Sequence, residues 1–174
     1  MSMTLIEHIP VGSGGVAELE FTAIPQTFTD LLIVGSFRTS GSNDFARIKF
    51  NDSTSDFTHR VLAGAGSGSG TSFANDPNTY LTTAVPSSFT ASTFSNISFY
   101  IPNYRSSSFK SYSTDGVTEN NATLARQVIN AGLWSNTAAI TKISLYLTSD
   151  NYVQYSSATL YGITAGSDGT TTVS

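Results

Sequence analysis

A chain of 174 residues with a formal net charge of −4, no cysteine and two histidines is the size of one domain, and can bury roughly 70% of its unfolded surface without covalent staples. The missing thiols exclude disulfides, thiolate metal sites and Cys nucleophiles, and the acidic balance argues against nucleic-acid and anionic-membrane partners, which need clustered Lys and Arg. Charged residues are only 11% of the chain while 39% is hydrophobic, which points to a folded domain with a polar, Ser/Thr-rich and barely ionic surface.

The start, Met1-Ser2-Met3-Thr4-Leu5-Ile6-Glu7-His8, has neither the basic nor the apolar region of a secretion signal, and no apolar run approaches the roughly 20 residues of a membrane span. A soluble protein made in the cytoplasm is expected. The chain also reads as starting at its initiator Met, with no shaft, coiled coil or repeat in front of the domain.

Residues 4–9 form the first strand candidate. In Ala17-Glu18-Leu19-Glu20-Phe21 the apolar residues alternate with two carboxylates, the period of a half-buried strand. Residues 31–38 follow, and Leu31-Leu32-Ile33-Val34 is apolar on both faces, so a central strand covered on both sides is expected, by the facing sheet and by a neighbouring subunit. The alternation returns with Ala46, Ile48 and Phe50 opposite Arg47 and Lys49. A strand at 58–62 precedes Gly64-Ala65-Gly66-Ser67-Gly68-Ser69-Gly70, which has almost no side chains to pack and reads as a flexible excursion.

Ile97, Phe99 and Ile101 then alternate with Ser98 and Tyr100, and a strand at 109–113 follows. Residues 124–130 fit a strand or a short helix, because Leu124, Val128 and Ile129 also share a helical face. Ile143, Leu145 and Leu147 alternate with Ser144 and Tyr146, and residues 153–163 close the series. Turn-forming Gly, Pro, Asn, Asp and Ser separate these segments. About ten such strands predict an all-β, antiparallel two-sheet sandwich, jelly-roll-like, over 1–163. Residues 164–174 carry one large apolar residue and read as a C-terminal extension, either a bland tail or an arm ordered by a partner subunit.

No chemistry emerges from the motifs. The glycine-rich stretch has neither Gly-x-Ser-x-Gly nor the Gly-Lys-Ser/Thr of a phosphate loop. His8 and His59 sit in separate strands with no nucleophile marked nearby, which leaves neither a triad nor a histidine metal site. Ser107-Ser108-Phe109-Lys110 matches Ser-x-x-Lys without its companion motifs. Asn51-Asp52-Ser53-Thr54-Ser55-Asp56 lacks the pattern of a calcium loop and reads as a turn. Glu18 and Glu20 lie on one solvent-facing strand face, and Asp115 stands alone, so no carboxylate pair for glycoside cleavage stands out. Asn-x-Ser/Thr occurs at Asn51, Asn96 and Asn121, but without a secretion signal. The expectation is a protein that is not an enzyme and uses no metal or cofactor.

Recognition then falls to aromatic residues. Trp134, Tyr100, Tyr104, Tyr146, Tyr152 and Tyr155 are the candidates, either as subunit contacts or as platforms on which a sugar ring stacks.

Several stretches resemble small virion proteins of tailed bacteriophages, especially phages of aquatic bacteria. They run from Glu18-Leu19-Glu20-Phe21-Thr22-Ala23-Ile24-Pro25 through Asp30-Leu31-Leu32-Ile33-Val34, Ile48-Lys49-Phe50-Asn51-Asp52 and Phe99-Tyr100-Ile101-Pro102-Asn103-Tyr104. Gly132-Leu133-Trp134-Ser135-Asn136 and Leu160-Tyr161-Gly162-Ile163 complete the set. The resemblance spans almost the whole chain. It implies a jelly-roll protein of the virion, made in the host cytoplasm, that either decorates the capsid or forms the head of a tail fibre. As a decoration or cement protein, a homotrimer for example, it would bind major capsid protein. As a fibre head it would bind cell-surface carbohydrate. The family supplies no catalytic residues, and the chain runs past the Leu160–Ile163 block where such a domain would end.

Overall fold

The computed structural model describes residues 2–42, 45–66, 68–74 and 79–165. Among them there is no helix, and twelve strands make two antiparallel sheets. The strands are β1 (Ser2–Pro10), β2 (Glu18–Phe21), β3 (Asp30–Ser36), β4 (Phe45–Phe50), β5 (Phe57–Ala65) and β6 (Thr71–Phe73). They continue with β7 (Tyr80–Thr83), β8 (Asn96–Ile101), β9 (Lys110–Glu119), β10 (Ala125–Trp134), β11 (Ile143–Tyr146) and β12 (Ser157–Thr164). The large sheet has the order β1-β12-β3-β8-β9-β10-β5-β6 and the small sheet the order β2-β11-β4-β7. The fold is therefore the two-sheet all-β sandwich expected from the alternation.

Of residues 124–130, open between strand and helix, all but Leu124 are strand: β10 pairs with β9 along its whole length and with β5 from Arg126 onward. Two neighbouring ladders satisfy its backbone on both sides, which a short amphipathic helix could not match. The unforeseen strands are β6 and β7. β6 has only three residues and β7 reads Tyr-Leu-Thr-Thr with every side chain buried, so neither shows an alternating pattern. Of the glycine-rich segment, Gly64 and Ala65 are the end of β5, and β6 pairs back onto β5 just outside it, at Val61–Phe73 and Ala63–Thr71. Ser67 within it lies outside the described residues. So does the expected C-terminal extension from residue 166 onward, β12 having continued to Thr164.

The core fills the space between the inner faces. Phe50 is its centre, with ring centroids 5.4 Å from Phe57, 5.4 Å from Trp134, 5.9 Å from Tyr112 and 6.3 Å from Phe99. Rings packed edge-on and offset in this way are favourable beyond their buried area. Two inner-face glycines let aromatic rings lie flat on the sheet. A Cβ on Gly132 would stand 2.1 Å from the Tyr112 ring, and one on Gly162 would stand 2.3 Å from that of Phe28. The glycines of the Gly132-Leu133-Trp134 and Leu160-Tyr161-Gly162 blocks thus have packing reasons.

β3 lies inside the large sheet as expected, with Leu31 and Ile33 fully buried against the facing sheet and Val34 on its other face exposed in the single chain. Among the described residues one sheet faces it, and that sheet covers one side.

Candidate functional site

The two outer faces of the sandwich differ in chemistry. On the small sheet, Glu18 and Glu20 of β2 lie beside Tyr146 and Ser144 of β11, which in turn neighbour Arg47 and Lys49 of β4. Lys49 pairs with Glu18 at 2.9 Å, and Lys142 bridges Glu20 at 2.6 Å and Asp52 at 2.7 Å. Its hydrogen bonds to Asp52 and then Glu20 push the Lys142 pKa above the usual lysine value. This face is an ionic, solvated surface with its charges paired.

The outer face of the large sheet is more sparsely charged, with Arg60, Asp115 and Glu119 spread over two of its eight strands. Its registers align one row across the strands, from Thr159 through Val34, Ser98, Asp115 and Ile129 to Leu62. Leu62 and Ile129 sit directly opposite each other and are 58% and 51% exposed. They border a shallow depression of about 540 Å³ whose floor includes Gly64 and Gly70, where missing side chains leave the backbone bare. Val117 lies exposed nearby, and Met3 and Leu5 are exposed at the β1 end of the same sheet. The adjacent Leu62 and Ile129 form an exposed apolar patch of the kind that marks interaction surfaces.

Of the six aromatic candidates, three are core residues, which corrects the expectation that they offer a contact surface. Trp134 belongs to the Phe50 cluster, Tyr104 is fully buried with its hydroxyl donating to the carbonyl of Pro25, and Tyr152 packs at 5.0 Å on Phe37. Burial raises the pKa of Tyr104 and of Tyr152. Their positions beside polar residues or turns concealed this, because inward direction depends on the register of the whole strand. Tyr100 and Tyr146 are half-buried. The Tyr100 hydroxyl donates to Asp30 at 2.8 Å, and burial first, then that carboxylate, raises its pKa. Tyr146 lies under the Lys49 ammonium at 4.5 Å, with its hydroxyl 2.6 Å from that of Thr79. Only Tyr155 projects fully, 76% exposed.

The groups considered for chemistry are dispersed or occupied. His8 stands on β1 and contacts the Thr159 hydroxyl at 2.8 Å, whereas His59 is on β5, near the other end of the sheet, stacked on Tyr80. Lys110 is buried, and its ammonium donates to the carbonyls of Ser108 at 2.6 Å and Asn136 at 3.5 Å, tying two loops together. Desolvation lowers its pKa. Asn51 and Asp52 both adopt left-handed φ and close a two-residue turn, with Ser53 donating to Phe50. The Asn51 amide oxygen accepts from the backbone of Thr141 and Lys142. Among the described residues no cluster of three or more His, Cys, Asp or Glu could hold a metal ion.

One recess was invisible in the sequence. Where the small sheet ends at β7, the β5–β6 hairpin overhangs a cleft of about 310 Å³ lined by Phe45, Phe73, Tyr80, Val128, Thr71 and Arg126, among others. Tyr80 meets Phe45 at 5.4 Å and Phe73 edge-on at 5.7 Å. The three rings come from three strands, so only the fold brings them together.

No protein-family model matches the chain, and neither curated proteins nor solved structures yield a match.

Proposed function

We propose that this is a non-catalytic virion protein of a tailed bacteriophage, which decorates the capsid exterior by seating the outer face of its large sheet on major capsid protein. The observation that carries the docking surface is the division of charge between the two outer faces. A face with Leu62 and Ile129 exposed and few charges loses little hydration when covered, whereas the Glu18–Lys49 and Glu20–Lys142–Asp52 pairs suit a face left in water. The virion setting rests on the resemblance set out above. Purified particles would be analysed for copy number, with the variant Leu62→Lys/Ile129→Lys alongside the parent chain. Shell-level copy number, and loss of the double variant from particles with its fold intact, are expected. A few tail-located copies, or normal incorporation of the variant, would sink the proposal.

The cleft favours a second reading, a fibre head binding cell-surface carbohydrate. Phe45 and Phe73, packed on the buried Tyr80, line the cleft together with the polar Thr71, Ser69 and Arg126, a mixture of rings and polar groups that suits a sugar ring. Competition of phage adsorption by free protein would support it, and its abolition by Phe73→Ala would locate the contact. Adsorption unaffected by added protein counts against it.

A further inference from the structure

The longest open strand edge among the described residues is that of β1. β1 has nine residues and stands at one end of the large sheet, bonded to β12 alone. Its burial is low throughout, with only Ile6 and Ile9 partly covered. The other terminal strands are β6, β2 and β7, of three, four and four residues. Short edges offer little to pair with, but a nine-residue edge about 30 Å long is a template for another strand.

Which backbone groups face outward follows from two hydrogen bonds. Val11 donates to the Ser156 carbonyl at 2.8 Å, and Thr29 donates to that of Ile163 at 2.8 Å. Ser156 therefore faces the β1 side and Ile163 the β3 side. Alternation along β12 then turns Ala158, Leu160, Gly162 and Thr164 toward β1, where they meet Ile9, Glu7, Thr4 and Ser2. Met3, Leu5 and His8 are left with their N–H and C=O groups aimed at the open edge. Pro10, which has no N–H to offer, ends it. No lysine guards this edge; its one carboxylate is Glu7, and its one irregularity is a bulge between Leu5 and Glu7, which turns Leu5 and His8 to the same side.

We propose that β1 pairs antiparallel with β1 of a second copy about a two-fold axis, joining two large sheets into one continuous sheet. A long strand edge is matched best by an edge of equal length, and among the described residues that edge is β1 of another copy. Pairing β1 with the three-residue β6 of a neighbour would leave most of β1 bare and would propagate into open filaments, whereas the two-fold arrangement closes. It also brings Met3 and Leu5 of both copies, 58% and 57% exposed, together on one outer face. This dimer differs from the trimer that the phage resemblance implies and does not depend on that resemblance.

Light scattering of the full chain from micromolar to millimolar concentration tests it, alongside the double variant Met3→Pro/His8→Pro, which removes two edge donors and, besides the His8–Thr159 side-chain contact, leaves the backbone bonds to β12 in place. Twice the 18.4 kDa chain mass is expected, with the dimer's dissociation constant raised about tenfold or more in the variant. Hydrogen exchange on the unsubstituted chain gives an independent reading: slow exchange at the Met3, Leu5 and His8 amides is expected. A single-chain mass at every concentration, a trimer, open-ended growth, a dimer indifferent to the prolines, or fast exchange at those amides would each overturn the two-fold pairing.

Discussion

Tyr155 sits in the turn at 153–156 with φ of 73°, and Ser156 donates to the Val153 carbonyl at 3.0 Å to close it. A left-handed conformation at this place suits glycine, so a tyrosine there carries strain. Tyr155→Gly is expected to leave thermal stability unchanged or raise it by up to about 1 kcal/mol, because the ring touches little and the strain is relieved. Trp134→Ala is expected to cost about 3–5 kcal/mol, since it empties a site at the centre of the core; calorimetry of the two variants checks both. Tyr112 and Tyr152 add a pH dependence. Burial raises both pKa values above the ordinary 10.0, with a further rise at Tyr152 from Glu18. The folded state then keeps protons that the unfolded chain releases, so their contribution is fully present below pH 10 and is lost as pH rises beyond it. Urea midpoints measured toward alkaline pH should fall, and the fall should be shallower in Tyr152→Phe. An unchanged alkaline slope in that variant would contradict the assignment.

Element-scale order depends on how strands meet, and the glycines show it. Gly132 and Gly162 sit on the inner face of long strands, where a sequence reader sees only weak β-formers. Their role is visible once Tyr112 and Phe28 are seen lying on them. Gly132→Ala is expected to destabilise by about 1–3 kcal/mol through overpacking, whereas Gly64→Leu should not, because a Cβ on Gly64 meets nothing within 4 Å. Denaturant unfolding of both variants measures the contrast. The loop between β7 and β8 gives a second case: the Arg38 guanidinium donates to the carbonyls of Ser87, Phe89, Thr90 and Thr93 and so holds the loop. Nothing in the sequence around Arg38 or in 86–94 signals a contact separated by some fifty residues. By contrast Ala46-Arg47-Ile48-Lys49-Phe50 announced its own two faces, because alternation is a local property.

At the scale of the whole molecule, the uneven sheets, eight strands against four, leave a broad outer face that no described residue of the chain covers with a further sheet. The docking proposal assigns that face to a partner and the ionic small-sheet face to water. Substituting Glu20→Gln and Lys49→Gln should therefore leave particle incorporation unchanged and cost under about 1 kcal/mol of stability, as exposed ion pairs do; loss of incorporation would reverse the assignment. Raised salt should have as little effect, because the proposed contact is apolar. By itself the sequence determined the all-β class, the two-sheet sandwich and most of the strands, since period-two alternation and turn residues act over a few positions. Only the tertiary structure decided that Trp134, Tyr104 and Tyr152 are core, that the Phe45–Phe73–Tyr80 cleft exists, and that charge divides between the faces. Each of these depends on which strands become neighbours, and that choice is made by packing between residues far apart in the chain.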